Sequence, residues 1–377
     1  MGQSPTAKIP VLIASSLKPL RDTRAWEKLG LSLRETNKYA LNIIGFSSKF
    51  IQKNQSTEDV RWFSSLRNTQ STWQRFFSQF RFMRAIWISK PKILICCTYE
   101  YLPIASIFKP IFGYKLIYDV QENYIKNLDL NPNLTSSKKK RAKEFIQLCE
   151  GIKGIDFYFL AEKCYQKEMP EKQPFLLLEN KSALEILPKS VLNYQGKSGF
   201  RFLISGTLSP AFGTLEGIQF FLEILKFFPE SSLKIIGHTP LKKYREAIQN
   251  LIKNKPQISI NVSENPIAQA LILEEFKRAD FCLLTYQNHE AIKDKMPTKL
   301  FDAMALGVPV LISKNPLWEE FLASYRGGIS LDFQKPDEAA EEFQSAIQAP
   351  FFTSLPGAEV LWDSQKSELL SFLSQLD

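Results

Sequence analysis

At 377 residues the chain exceeds the roughly 250–300 at which one hydrophobic core stops growing, so two domains are expected. Its 44% hydrophobic and 23% charged composition is that of a globular protein, and no run of about 18 uncharged apolar residues is present to span a bilayer. The net charge of +9 is uneven: residues 1–195 hold 30 Lys and Arg against 17 Asp and Glu, the remainder 18 against 22.

The opening stretch MGQSPTAKIPVLIASS carries a strand-sized apolar run instead of the long one of a secretory signal. It fits the loose acylation pattern M-G-x-x-x-[ST]. Five cysteines, Cys96, Cys97, Cys149, Cys164 and Cys282, lie mostly inside apolar runs without metal-ligand spacing. They read as reduced, buried thiols of a cytoplasmic protein.

Strand candidates in the first half are KIPVLIA, ALNIIGF, KILICC, YKLIYDV, DFYFLA and PFLLLE; in the second, FRFLIS, LKIIG, ISINV, DFCLLTY, VPVLIS and GISLDF. These are near-continuous apolar runs, the pattern of parallel strands covered on both faces. Helical periods such as DTRAWEKLGLSLRETNK, GTLEGIQFFLEILKFF and LKKYREAIQNLIKN fall between them, so the expected class is α/β with two doubly wound, Rossmann-like parallel-sheet domains. Expected boundaries are 1–185 for the first domain, 186–198 for a polar linker, 199–358 for the second domain and 359–377 for a terminal helix.

Residues 60–92 carry Arg61, Arg67, Arg75, Arg81, Arg84, Lys90 and Lys92 and not one acid, with Trp62, Trp73, Phe76, Phe77, Phe80 and Trp87 interleaved. Such a segment suits an anionic membrane surface. It also fits a core helix with buried aromatics and snorkelling arginines, or phosphate contact and base stacking with nucleic acid, helped by SSKKKRAKEF. The membrane surface is the expectation adopted, through Arg61, Trp62, Trp73, Arg75, Phe76, Phe77, Arg81, Arg84 and Trp87; nucleic acid is not an expected partner.

In open α/β sheets ligands gather beyond the carboxyl ends of the strands, where helix N-termini offer unpaired N–H groups. Three strand ends in the second half stand out. FLISGTLSPAFGTLEGI enters a loop with Gly206, Thr207 and Gly213, where backbone can approach a phosphate. LKIIG ends at Gly237 and His238. DFCLLTY leads through a long polar loop containing Asp294 to a helix near Pro297, whose first turn holds Thr298 and Lys299 and whose next residues include Asp302. A lysine in a first helical turn opposes the helix dipole, so Lys299 and Asp302 are either a solvated pair or part of an anion site.

The order and spacing of the glycine loop, the IIG strand end, ADFCLLTY and P-x-K-x-x-[DE]-x-x-A-x-G-x-P-V over residues 199 to about 320 resemble the nucleotide-binding half of GT-B glycosyltransferases of family four. DTR at 22–24, YDVQENY at 118–124, LLLEN ending at Asn180, and the tail with Trp362 resemble the acceptor half and the helix that returns to it. The resemblance implies two domains facing a cleft. It also implies transfer of a sugar from a nucleotide diphosphate to a lipid-linked or saccharide acceptor, with retention and with neither a cofactor nor an essential metal. It implies catalytic roles for Asp294, Lys299 and Glu122. Donor binding falls to Gly206, Thr207, Gly213, Gly237, His238, Thr298, Lys299 and Asp302, and an acceptor-side role to Asp22, Arg24 and Gln121.

Asp294 and Asp302 stand at the two ends of the family's E-x7-E motif, each one methylene shorter. Thr207 and Phe212 stand near the places of its pyrophosphate-binding Arg and Lys. Gln121 stands where many relatives have histidine, and an amide does not titrate. These departures leave room for a non-catalytic sugar-nucleotide-binding or scaffold subunit, and the fold also admits a sugar-nucleotide epimerase. The expected location is the cytoplasm, at the inner face of the membrane.

Overall fold

The computed structural model describes residues 7–47, 59–66, 72–184 and 187–376. The acylation pattern at residues 1–6 and Arg67 lie outside them. The chain divides into two compact units, Met1–Ala183 with Trp362–Asp377, and Leu184–Leu361.

Unit 1 contains a parallel sheet of β1 (Ile9–Pro19), β2 (Tyr39–Phe46), β3 (Arg61–Ser64), β4 (Ile93–Cys96), β5 (Lys115–Val120), β6 (Phe157–Leu160) and β7 (Phe175–Leu177) in the order β3-β2-β1-β4-β5-β6-β7. Successive side chains of a strand point to opposite faces. On β1, Val11 and Ile13 join one core with Trp26, Leu29 and Leu33, while Leu12 and Ala14 join the other with Phe82, Ala85, Leu102 and Ala105. Both faces are covered, hence the unbroken apolar run.

The terminal helix Asp363–Ser374 belongs to this unit. Leu369 and Leu373 enter the first core, and the Trp362 indole Nε1 donates to Ser32 Oγ at 2.9 Å.

Unit 2 is built on β8 (Arg201–Thr207), β9 (Ser232–His238), β10 (Ile258–Ser263), β11 (Phe281–Leu284), β12 (Val310–Ser313) and β13 (Gly328–Leu331), all parallel, in the order β10-β9-β8-β11-β12-β13. The winding reverses between β8 and β11, where an open α/β sheet binds ligands.

The polar segment after Leu184 packs on this unit. Tyr194 lies 5.0 Å from the Phe281 ring and 5.6 Å from Phe200, and its hydroxyl donates to the Asp280 carbonyl at 3.1 Å. One aromatic residue in a polar run carries no periodicity, so its anchoring is invisible to pattern.

The helix Thr298–Leu306 ends at Gly307, whose φ of +66° is the left-handed conformation a helix stop requires. Pro297 stands one residue ahead of its first turn with ψ 134°, extended instead of helical.

Candidate functional site

The carboxyl ends of β8, β9 and β11 converge with the start of the helix Thr298–Leu306. Gly206, near the end of β8, has φ +89°, and Gly237 on β9 lies so close that a Cβ there would stand 2.0 Å from the Gly206 carbonyl oxygen. The Lys299 ammonium occupies the space beside Gly206: a Cβ on that glycine would be 2.9 Å from Nζ. Nζ donates to the Ser205 carbonyl and, at 3.1 Å, to the Tyr286 hydroxyl. The cation also sits 5.5 Å from the centre of the Tyr286 ring.

Gly213, at φ +60°, opens the helix Thr214–Phe227. It presses on the end of β11, where Thr285 Oγ1 donates to the Gly213 carbonyl at 2.6 Å and a Cβ on the glycine would meet the Thr285 oxygen at 1.7 Å. That helix therefore starts at a fixed point over the sheet. Phe212, expected near a basic position, packs its ring 4.7 Å from Tyr286.

His238 is half-buried at the end of β9. Burial, and secondarily the Lys299 charge, lower its pKa from the usual 6.5, so the imidazole is neutral at neutral pH. Thr207 is exposed and Thr298 half-buried.

Asp302 does not share a wet face with Lys299. It is 5% exposed. Burial pushes up the Cys282 thiol in the neighbouring strand, the Lys299 charge opposes this, and the Asp302 charge adds a smaller upward push. Asp294 is exposed, in a loop held to the helix Pro316–Ala323 by two hydrogen bonds: Trp318 Nε1 donates to the Lys295 carbonyl at 2.7 Å, and Asn315 Nδ2 to the Lys293 carbonyl at 2.9 Å. Tyr286 and Thr285 were not among the expected site residues, although their position at the end of DFCLLTY is the signal that marks them.

In unit 1 two of the expected acceptor-side residues, Arg24 and Gln121, join a buried lattice around Asp119. Arg24 donates through Nε and Nη2 to Asp119, and through Nη1 to the Leu178 carbonyl at 2.8 Å and Asn180 Oδ1 at 3.0 Å. Gln121 Nε2 donates to the other Asp119 oxygen at 2.8 Å. Arg24 and Gln121 are both buried, and their shared partner Asp119 fixes the direction of each side chain. Asp22 caps the following helix, accepting from the Arg24 and Ala25 amides at 3.0 and 2.9 Å.

Glu122 keeps a more open setting, paired with Lys18 Nζ at 3.0 Å and accepting from Asn127 Nδ2 at 2.7 Å. The Glu122 carboxylate in turn is the main cause that raises the Lys18 pKa, keeping it charged.

No family model matches the sequence, and no curated protein matches it. Solved structures do. Sucrose-phosphate synthase from Thermosynechococcus elongatus is 10% identical with a TM-score of 0.64, over 98% of this chain and 99% of that one. HepE from Anabaena, in complex with UDP and glucose, is 11% identical with a TM-score of 0.63, over 97% and 99%. WaaG, a glycosyltransferase involved in lipopolysaccharide biosynthesis, is 11% identical with a TM-score of 0.58, over 90% and 92%. The chain has the GT-B fold.

The basic segment of this GT-B chain splits in two. On the helix Thr72–Ser89, Phe82, Ala85 and Ile86 face the core, whereas Trp73, Phe76, Phe77, Phe80 and Trp87 are each at least 50% exposed. A core helix with buried aromatics is therefore excluded for those five. Arg75 and Arg84 are exposed among them, and Arg81 Nη1 donates to the Ser65 carbonyl at 2.8 Å.

Trp62 does not join this face. Strand alternation on β3 turns it to the opposite side of the sheet, where its ring lies 4.9 Å from Trp26, while Arg61 reaches the Ile88 carbonyl at the end of the basic helix at 3.5 Å. Among the described residues no helix is long and apolar enough to cross a membrane.

Proposed function

We propose that the chain is a glycosyltransferase, similar to family four. It would move a sugar from a nucleoside diphosphate to a lipid-linked or saccharide acceptor, retaining anomeric configuration and needing no divalent metal. The observation that carries this is the fixed ammonium of Lys299 at the end of β8, beside a left-handed glycine. Breaking the bond between the anomeric carbon and the phosphate oxygen leaves the electron pair on the diphosphate as the sugar becomes oxocarbenium-like. A preorganised cation there is stabilising in the transition state. The amides at the start of the helix Thr214–Phe227 add donors of the same sign.

Neutral His238 supplies a further hydrogen-bonding group beside Lys299. Asp302 is assigned to the ribose hydroxyls and Asp294 to the donor sugar, on the strength of the family motif. Glu122 is the carboxylate assigned to the acceptor side of unit 1. That HepE was solved with UDP supports a nucleotide sugar as the donor class. The exposed basic, aromatic helix supports work at the inner face of a membrane from the cytoplasm.

Calorimetric titration of the full chain with UDP, GDP and ADP, followed by assays of donor hydrolysis and transfer, tests the proposal. Absence of binding by all three sinks it. Binding without turnover favours a non-catalytic subunit, and a donor sugar altered in configuration without any acceptor favours an epimerase.

A further inference from the structure

A cavity of about 450 Å³ lies within unit 1, at the carboxyl end of β1. That size is within the range of about 300–1,000 Å³ that holds a small organic ligand. Leu17, Leu66 and Tyr99 make much of its wall. It opens where Phe76 and Phe145, which also line it, are 57% and 51% exposed. Of the residues around it, Arg75 carries a positive charge and Glu100 a negative one, and Glu100 Oε2 already accepts from Ser16 Oγ at 2.8 Å. The cavity thus combines an apolar wall with a guanidinium and with a carboxylate that Ser16 already engages.

The surface around the opening has the same character. Phe77 and Phe80 on the helix Thr72–Ser89, Ile107 and Ile111 on the helix Leu102–Phe112, and Leu148 on the helix Ser136–Glu150 are all at least half exposed. The Trp87 and Phe112 rings touch at 5.7 Å, joining the first two of these helices, and Phe145 on the third lies 6.1 Å from Tyr99 in the turn just ahead of the second. Arg84 on the first of these helices is exposed, as are Arg141 and Lys138 on the third, one and two turns from Phe145 on its side of the helix. Apolar side chains set among cations complement an anionic lipid surface.

We infer that this cavity takes the hydrocarbon chain of an anionic lipid drawn from a bilayer, with the headgroup phosphate held by Arg75. Calling that lipid the sugar acceptor rests on the proposed transferase activity; the class of ligand rests on the cavity alone.

The test is calorimetry on the full chain with dodecyl phosphate below its micelle concentration, and with inorganic phosphate and dodecyl maltoside as controls. One molecule of dodecyl phosphate is expected to bind saturably, at least about tenfold tighter than either control. Ala142→Trp, on a solvent-facing turn of the lining, fills the cavity and should weaken it about tenfold or more. Arg75→Gln should remove the preference over the neutral detergent while the apolar contacts stay. No saturable binding, or an affinity unmoved by Ala142→Trp and a preference unmoved by Arg75→Gln, overturns the inference. UDP, GDP and ADP titrated in parallel separate the two proposals: failure of all three to bind the unaltered chain would refute the transferase and leave the lipid cavity standing.

Discussion

Arg24 and Asp119 form a buried ion pair, Nε to Oδ1 at 2.9 Å and to Oδ2 at 3.0 Å and Nη2 to Oδ1 at 2.7 Å, with 4% and 0% of the two residues exposed. A buried charge that loses its partner keeps its desolvation cost without the attraction that offset it. Asp119→Asn should therefore destabilise the chain by about 3–5 kcal/mol in urea unfolding. Arg24→Met combined with Asp119→Leu should recover most of that loss, because the orphaned charge is removed as well. A single-variant cost near zero would show that the pair is solvated.

A comparison of two left-handed glycines, Gly213 and Gly113, separates backbone strain from steric exclusion. Both have positive φ, 60° and 69°, but a Cβ on Gly113 meets nothing within 4 Å whereas one on Gly213 overlaps the Thr285 carbonyl. Gly113→Ala should cost about 1–2 kcal/mol, the strain alone. Gly213→Ala should cost more and also weaken nucleotide binding, since the start of the helix Thr214–Phe227 must lift from β11. Equal melting temperatures for the two variants would refute the tight approach.

Lys299→Ala should weaken binding of a nucleoside diphosphate by about tenfold or more, the scale of one charge-assisted hydrogen bond of about 1.5–3 kcal/mol. Binding of the nucleoside should change little. Calorimetry with UDP and uridine makes the comparison, and equal losses for both would remove Lys299 from the phosphate site.

His238 reports the same field. Its pKa is held below 6.5 by burial first and by Lys299 second, so Lys299→Met should raise it while leaving it lowered. A diphosphate bound beside the ammonium should also raise it. Because the unfolded chain takes up the proton more readily, the neutral imidazole contributes stability that is complete above the unfolded value and is lost as pH falls below about 6.5. Imidazole resonances followed by NMR through pH 5–8 check both signs; a His238 pKa unmoved by Lys299→Met would place the two groups out of reach.

What was legible followed from how far apart the determining residues lie. The strands of both sheets could be read because coverage on two faces writes an apolar run into a few adjacent positions. The cluster of Gly206, Gly237 and Lys299 could be read because strand ends are where such residues have chemistry to do. The partner of Arg24 could not: Asp119 is 95 positions away, and only the register of β5 brings it there. Sequence proximity groups Trp62 with the basic helix, but one step along a strand decides the face of the sheet. Helical spacing places Asp302 beside Lys299 but says nothing of what the rest of the fold lays over that face.

The exposed helix Thr72–Ser89 leads to a prediction about membranes. Vesicles with a third of their lipid anionic should retain the full chain at low salt and release it at high salt, as screening shortens the reach of the arginines. Each cation near such a surface contributes about 1 kcal/mol, so Arg75→Gln with Arg84→Gln should weaken retention on the order of thirtyfold. Trp73→Ser with Phe77→Ser should weaken it at high salt too, since insertion of apolar rings is not screened. Trp62→Ser serves as the control: its ring packs against Trp26 on the other side of the sheet, and vesicle binding should be unchanged. Flotation with all three variants reads these outcomes together. Loss of binding by Trp62→Ser alone would mean that the membrane meets the opposite face, the one covered by the terminal helix, and would overturn the assignment of the basic helix.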